Sequence, residues 1–206
     1  YYPLLFDDPT YLGDRTTGER AYKLEACAAF QELLGNGAGR DLLNQGEIAE
    51  LHKRLFTVEG HLNLLSPYEK MALNDGLNDE KAARDYFTAL FDVIERDEVD
   101  RETYQALIAA VDNLPHEEGK ARVATWPILT QYPFIARPDC HMFLKPEVTK
   151  ACAERMMFDL NYDSKLNWVT YSQLIKLTRM LFKELQPMGA KDHIDVQSYI
   201  WVIGAY

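Results

Sequence analysis

The feature that most constrains this chain is the spacing of its apolar residues, which return at every third or fourth position through most of the sequence. The longest such run comprises Trp168, Tyr171, Leu174, Ile175, Leu177, Leu181, Phe182 and Leu185. Residues with this spacing share one face of an α-helix, whereas a strand needs alternation at every second residue. The pattern leaves room for strands only at the two ends of the chain. The protein is therefore predicted to be all-α.

Capping residues mark several helix boundaries. Ser66, Pro67 and Glu69 have the spacing of a capping box, with proline at the first helical position. Asp100 is expected to cap a further helix, and Asp195 a last short one. These positions predict where helices begin independently of the apolar pattern.

Prolines and glycines mark the interruptions. Pro127 either starts a new helix after Trp126 or kinks an existing one. Pro133 and Pro138 are expected to hold the following stretch open. The alternate glycines at 35–39 come after a helix rather than between a strand and a helix, so a C-terminal cap and loop is preferred to a phosphate cradle.

The predicted helices follow one another without an evident linker. We count about eight or nine, and no period of 20 to 50 residues repeats, which argues against a solenoid. At 206 residues, one hydrophobic core is sufficient. We expect a single-domain orthogonal helical bundle over residues 1–206, with residues 1–15 as an irregular N-terminal arm.

Charge restricts the partners of the chain. Thirty-two acidic residues against 22 basic ones give a net charge of −10, so nucleic acid could be bound only through a local basic patch. The apolar runs are too short to cross a bilayer, and the three cysteines suit a reducing compartment. No charged segment followed by an apolar one opens the sequence. We expect a cytoplasmic protein with no membrane partner, metal or cofactor, and its oligomeric state stays open.

One short segment brings both signs of charge together. Asp139, His141 and Lys145 are the candidate catalytic residues, and Arg137 and Lys150 are candidates for holding an anion. Such a mixture can bind an anion or transfer a proton. The structural alternative is an Arg137–Asp139 turn, a half-buried His141 and a solvated Lys145.

Aromatic residues offer a second kind of candidate. Trp126 and Tyr132 could line a ligand-binding groove, although most aromatics here fall on apolar helical faces and are expected in the core. The histidines lack the spacing of metal ligands, so no metal site is predicted.

The order of Asp139, His141 and a helix from Pro146 resembles helix-hairpin-helix DNA glycosylases, in which a catalytic aspartate precedes a helix. The resemblance implies an all-helical fold that extrudes a damaged base, with Asp139 supporting the departing glycosidic bond. The Leu-Pro-Gly-x-Gly signature of that family is replaced here by Leu114-Pro115-His116-Glu117-Glu118-Gly119. In a DNA complex, the carboxylates of Glu117 and Glu118 would face the phosphates of the DNA backbone.

A broader resemblance covers much of the C-terminal half, from Phe134 through His141 and Lys145 to residues 195–201. This half looks like an uncharacterised family of bacterial all-helical proteins, which implies no mechanism. We therefore expect a helical binding or assembly module with another protein as its partner. The alternative is a nucleic-acid-processing enzyme that resembles a base-excision glycosylase.

Overall fold

The computed structural model describes residues 19–116 and 119–205, and within these ranges every regular element is helical. The all-α prediction is confirmed for these residues, and the arm predicted over residues 1–15 lies outside them. The ten α-helices are α1 (Ala21–Leu33), α2 (Ala38–Gln45), α3 (Ile48–Glu59), α4 (Pro67–Gly76), α5 (Glu80–Ile94), α6 (Arg101–Asp112), α7 (Trp126–Ala136), α8 (Pro146–Arg155), α9 (Trp168–Leu185) and α10 (His193–Ala205), with a 3₁₀ turn at Gln186–Met188.

Helix α2 is the element that the apolar pattern does not predict. It is short and lies between Gly37 and Gly46, whose positive φ angles of 86° and 81° suit glycine. The glycine-rich stretch therefore ends α1 as expected, and it also starts a further helix. Gly39 is buried in α2 against the ring of Phe91 and has no room for a side chain.

The capping predictions were correct at two helix starts and wrong at the last. Ser66 and Glu69 form both halves of a capping box at the start of α4. Asp100 accepts a hydrogen bond from the amide of Thr103 at 2.9 Å. Helix α10 instead begins at His193, and Asp195 lies buried in its first turn.

Asp195 is committed to a long-range contact rather than to a cap. Its carboxylate accepts hydrogen bonds from the Arg20 guanidinium at 2.6 Å and from the backbone amide of Lys191 at 2.7 Å. Arg20 also pairs with Asp192. These contacts join the start of α1 to the start of α10.

Helix α7 is the centre of the bundle, and all of its residues are buried. It contacts α1, α4, α5 and α6. Helix α7 begins at Trp126 with Pro127 in its first turn, so Pro127 marks a helix start rather than a kink. The expectation that Pro133 holds the chain open was wrong, because Pro133 lies inside α7. A helix surrounded by apolar neighbours tolerates one missing backbone hydrogen bond, since burial of its whole surface outweighs that loss.

Helices α8 and α10 pack closely against each other. Gly204 of α10 lies against the backbone of Val148, where an added Cβ atom would overlap the carbonyl group.

None of the helices in the described ranges is long and apolar enough to span a bilayer. The buried apolar residues form one continuous core. The starts of α1, α4, α7 and α8 and the middle of α10 meet on one face, where the candidate site lies.

Candidate functional site

The candidate catalytic residues do not share a cavity. Asp139 is exposed and pairs with Arg137, whose Nη2 lies 2.8 Å from Asp139 Oδ2. The guanidinium also donates to the backbone carbonyls of Ile94 and Arg96 at 3.2 and 2.9 Å. The hydrogen bond from Arg137 holds the pKa of Asp139 below its ordinary value. The pair therefore fastens the turn after α7 to the end of α5.

His141 lies in the interior, only 1% exposed. Its Nδ1 is 2.8 Å from the hydroxyl of Tyr171, whose ring stacks on Tyr104 with centroids 3.6 Å apart. Its backbone carbonyl meets the Nδ1 of His193 at 2.9 Å. Burial lowers the pKa of His141 to about 3, so the imidazole is neutral at physiological pH. In this position it links α6, α9 and α10.

Lys145 alone among the three candidate catalytic residues reaches a cavity. It is the residue before α8, and its Nζ lies 3.7 Å from Glu69 Oε2 and 3.4 Å from the carbonyl of Leu64. Glu69 Oε2 also accepts the backbone amide of Ser66 at 2.8 Å. The capping box of α4 therefore faces Lys145 across the surface.

The first of three adjoining cavities opens on one side of Lys145 and has a volume of about 380 Å³. Ser66 and Lys145 form the wall that it shares with the second cavity. Rings of Tyr22, Phe143 and Trp201 contribute apolar surface, and the polar groups come from Glu19, Asn63 and Gln197.

The second cavity, about 520 Å³, opens on the other side of Lys145. Its apolar walls are Trp126, Pro127, Pro146 and Tyr162, and its charged groups are Glu69, Glu147, Arg122 and Lys145. A third cavity of about 360 Å³ shares Arg122, Ala124 and Ser164 with the second and adds Lys165. We call these three adjoining cavities the groove.

The remaining predicted site residues take different positions relative to the groove. Trp126 forms part of the groove wall, but its ring is buried and its indole Nε1 donates to the carbonyl of Asp163 at 2.7 Å. Lys150 pairs with Glu147 at 2.8 Å, and its Nζ lies 5.1 Å from the centre of the Tyr162 ring. Both residues therefore already have contacts in the protein.

Tyr132 lies behind the groove, in the core. Its hydroxyl donates to Glu59 Oε2 at 3.2 Å, and Gln131 donates to the same oxygen. Glu59 Oε1 pairs with Lys70 at 2.9 Å. This cluster joins α3, α4 and α7 in the interior.

Two groups of the groove were missed by the sequence analysis as site residues. Gln197 is 5% exposed, yet it makes no side-chain hydrogen bond within the described ranges. Trp201 is 44% exposed, which is unusual for its size. Neither residue carried a signal in the sequence that marked it as a site residue.

Metal binding and thiol chemistry have little support among the described residues. No three His, Cys, Asp or Glu side chains come together there to hold a metal ion. Burial raises the pKa of Cys27 to about 12 and those of Cys140 and Cys152 to about 11. Thiols with such pKa values are poor nucleophiles at neutral pH.

Comparison with known proteins adds no relative, because no family model, curated protein or solved structure matches the chain.

Proposed function

We propose that this chain is a protein-binding module whose groove receives an extended segment of a partner polypeptide. The observation that carries the proposal is the row of three adjoining cavities that meet at Lys145 and at Arg122. A closed small-molecule site is usually one concave pocket, whereas an extended peptide needs successive pockets for its side chains. Aromatic and proline walls between polar groups suit such a ligand.

The charges of the groove suit a polypeptide better than a polyanion. Lys145 faces Glu69, Lys150 pairs with Glu147, and Arg122 and Lys165 share the third cavity with Asp112, so the basic groups of this region alternate with acidic ones. A nucleic-acid groove needs a run of uncompensated cations, especially on a chain with a net charge of −10. A polypeptide carries groups of both signs and can match both.

The alternative is an enzyme that acts on nucleic acid through Asp139, His141 and Lys145. Such an enzyme needs these groups to face one accessible space. The burial of His141 and the pairing of Asp139 with Arg137 give this alternative less support. It stays a prediction, and DNA binding that depends on Asp139 would support it.

The long-range field of the chain indicates the character of the partner. The net charge of −10 accelerates encounter with a positively charged protein and slows encounter with an acidic one. We therefore propose a partner of net positive charge. Its association rate should fall as ionic strength rises, while contacts within the groove determine the dissociation rate.

The test is a selection from a phage-displayed library of short random peptides against the full chain. Ala124 lines both the second and third cavities, so Ala124→Trp should fill the junction between them. Selected peptides should bind this variant at least about tenfold more weakly than the wild type, which corresponds to about 1.4 kcal/mol. Met180→Trp, which also introduces a tryptophan but at an exposed position of α9 away from the groove, is the control.

Two results would count against the proposal. Peptides that bind the wild type and Ala124→Trp equally would place binding outside the groove. A DNA duplex with an abasic site that binds tightly, and binds less tightly to Asp139→Asn, would favour the enzyme. Thermal unfolding of both tryptophan variants shows whether each one folds.

A further inference from the structure

We propose that Gln197 anchors the main chain of the bound segment, so that the first cavity recognises a peptide amide rather than a charged side chain. This inference rests on the proposed function and adds the chemistry by which one part of the groove holds its ligand. It depends on the unpaired state of Gln197 and on the compensated charges around it.

Several described side chains, including Gln131, carry a buried polar atom without a hydrogen-bond partner, and Gln197 is the one among them that lines the groove. It projects from the middle of α10 and forms part of the wall of the first cavity. Its Oε1 is buried without a hydrogen-bond partner, and its side chain donates to no acceptor in the described ranges. Buried polar groups are nearly always paired, because an unpaired one loses its hydration without replacement. A ligand that pairs with this amide restores the missing hydrogen bonds.

The charged groups of the first cavity are already compensated. Glu19 lies 3.3 Å from the Nζ of Lys23, a side chain that is 1% exposed. Lys145 lies between Glu69 and the carbonyl of Leu64. The cavity therefore presents little net charge to a ligand, which disfavours both a lone cation and a lone anion.

The other polar groups of the cavity are neutral. Asn63 and Gln197 carry amides, which both donate and accept, and the hydroxyl oxygen of Ser66 already accepts the backbone amide of Glu69. A carboxamide can donate to a backbone carbonyl and accept from a backbone N–H, so it matches a peptide unit with two hydrogen bonds. The rings of Tyr22 and Trp201 lie on the same cavity walls and supply apolar contacts for the flanking side chains.

Substitution of Gln197 distinguishes a binding role from a structural role. Gln197→Leu keeps the approximate volume but removes both hydrogen-bonding atoms. The melting temperature should stay the same or rise, since the variant removes an unpaired buried amide. The affinity for groove-dependent peptides should fall about tenfold. Gln197→Glu keeps the shape, removes the donor and should also weaken binding.

Gln131 provides the matched control, because it is also a buried helical glutamine. Its amide donates to Glu59 and faces the core rather than the groove. Gln131→Leu should lower the melting temperature and leave peptide affinity unchanged. The two glutamines should therefore show opposite patterns in the two measurements.

A scan of the selected peptide with N-methylated residues tests whether the backbone is recognised. One N-methyl group should weaken binding to the wild type and have little effect on binding to Gln197→Leu. If no single N-methyl group weakens binding more than the others, and a side-chain amide of the peptide accounts for the lower affinity of Gln197→Leu, the main-chain inference is wrong.

The remaining outcomes separate the inference from the proposed function. Equal peptide affinity for the wild type and Gln197→Leu, together with weakened binding to Ala124→Trp, would overturn only the inference. A marked loss of melting temperature in Gln197→Leu would also overturn it, since the amide would then stabilise the fold. Failure to select any groove-dependent peptide would overturn both.

Discussion

Replacement of Glu59 by leucine should destabilise the protein far more than loss of a surface carboxylate. Glu59 is 3% exposed and accepts hydrogen bonds from Gln131 and Tyr132, both fully buried. It also pairs with Lys70, which is about one-third exposed. After the substitution, water can hydrate Lys70, but the amide of Gln131 and the hydroxyl of Tyr132 lie in the fully buried interior and both lose the carboxylate as acceptor.

The size of the effect follows from these two stranded donors. An unpaired buried polar group costs about 1–3 kcal/mol, and the gain from burying leucine offsets part of the sum. We expect a loss of about 3 kcal/mol from the free energy of unfolding. For a chain of this length, 1 kcal/mol corresponds to about 2–4 °C, so the melting temperature should fall by roughly 6–12 °C.

Urea denaturation and thermal unfolding of Glu59→Leu measure this loss. Glu50→Leu is the control, because Glu50 pairs with Arg54 at the surface, where water replaces the lost contact. The double variant Glu59→Leu/Gln131→Leu should lose less stability than the sum of the single changes, since it strands fewer donors. A Glu59→Leu loss no larger than that of Glu50→Leu, or strict additivity with Gln131→Leu, would refute the reasoning.

Three further outcomes follow from other parts of the molecule. The pKa of His141 is about 3 in the folded protein, whereas its ordinary value is 6.5. As pH falls from 6.5 toward 3, the unfolded chain binds a proton at this residue before the folded protein does, so the free energy of unfolding decreases. Between pH 7 and 4.5, urea denaturation should therefore show a loss that is about 3 kcal/mol larger in the wild type than in His141→Gln; equal losses would contradict it. Gly204→Ala should cost about 1–3 kcal/mol in thermal unfolding, because its Cβ would overlap Val148, whereas Gly60→Ala, at a helix end with more space, should be nearly neutral. Burial raises the pKa of Cys27 to about 12, so a disulfide reagent at pH 8 should label this thiol much more slowly in the native than in the urea-unfolded protein, and equal rates would show that it is exposed.

Most of the helices could be predicted from patterns among residues that are close in the sequence. The three- and four-residue spacing of apolar side chains predicts α9, and the Ser66–Glu69 capping box predicts the start of α4. Both signals act between residues within about one helical turn. They are therefore readable from neighbouring positions alone.

The errors arose where distant residues override a local signal. Pro133 is helical because four other helices surround α7. Asp195 is a buried ion-pair partner rather than a cap because Arg20, far away in the sequence, lies beside it. Each local signal was real, but tertiary packing outweighed it.

The candidate site depends almost wholly on such distant contacts. The sequence identifies Lys145 as a charged residue before a helix, and only the fold brings it to Glu69 and makes it a wall between two cavities. The roles proposed for Asp139 and His141 stay predictions. Nothing in the sequence around Gln197 shows that its amide lacks a partner, because a missing hydrogen bond depends on every group that packs nearby. Most helices, α2 excepted, could be predicted from the residues alone because helices form by local hydrogen bonds, whereas the pairing and exposure of polar groups depend on contacts between residues that are distant in the chain.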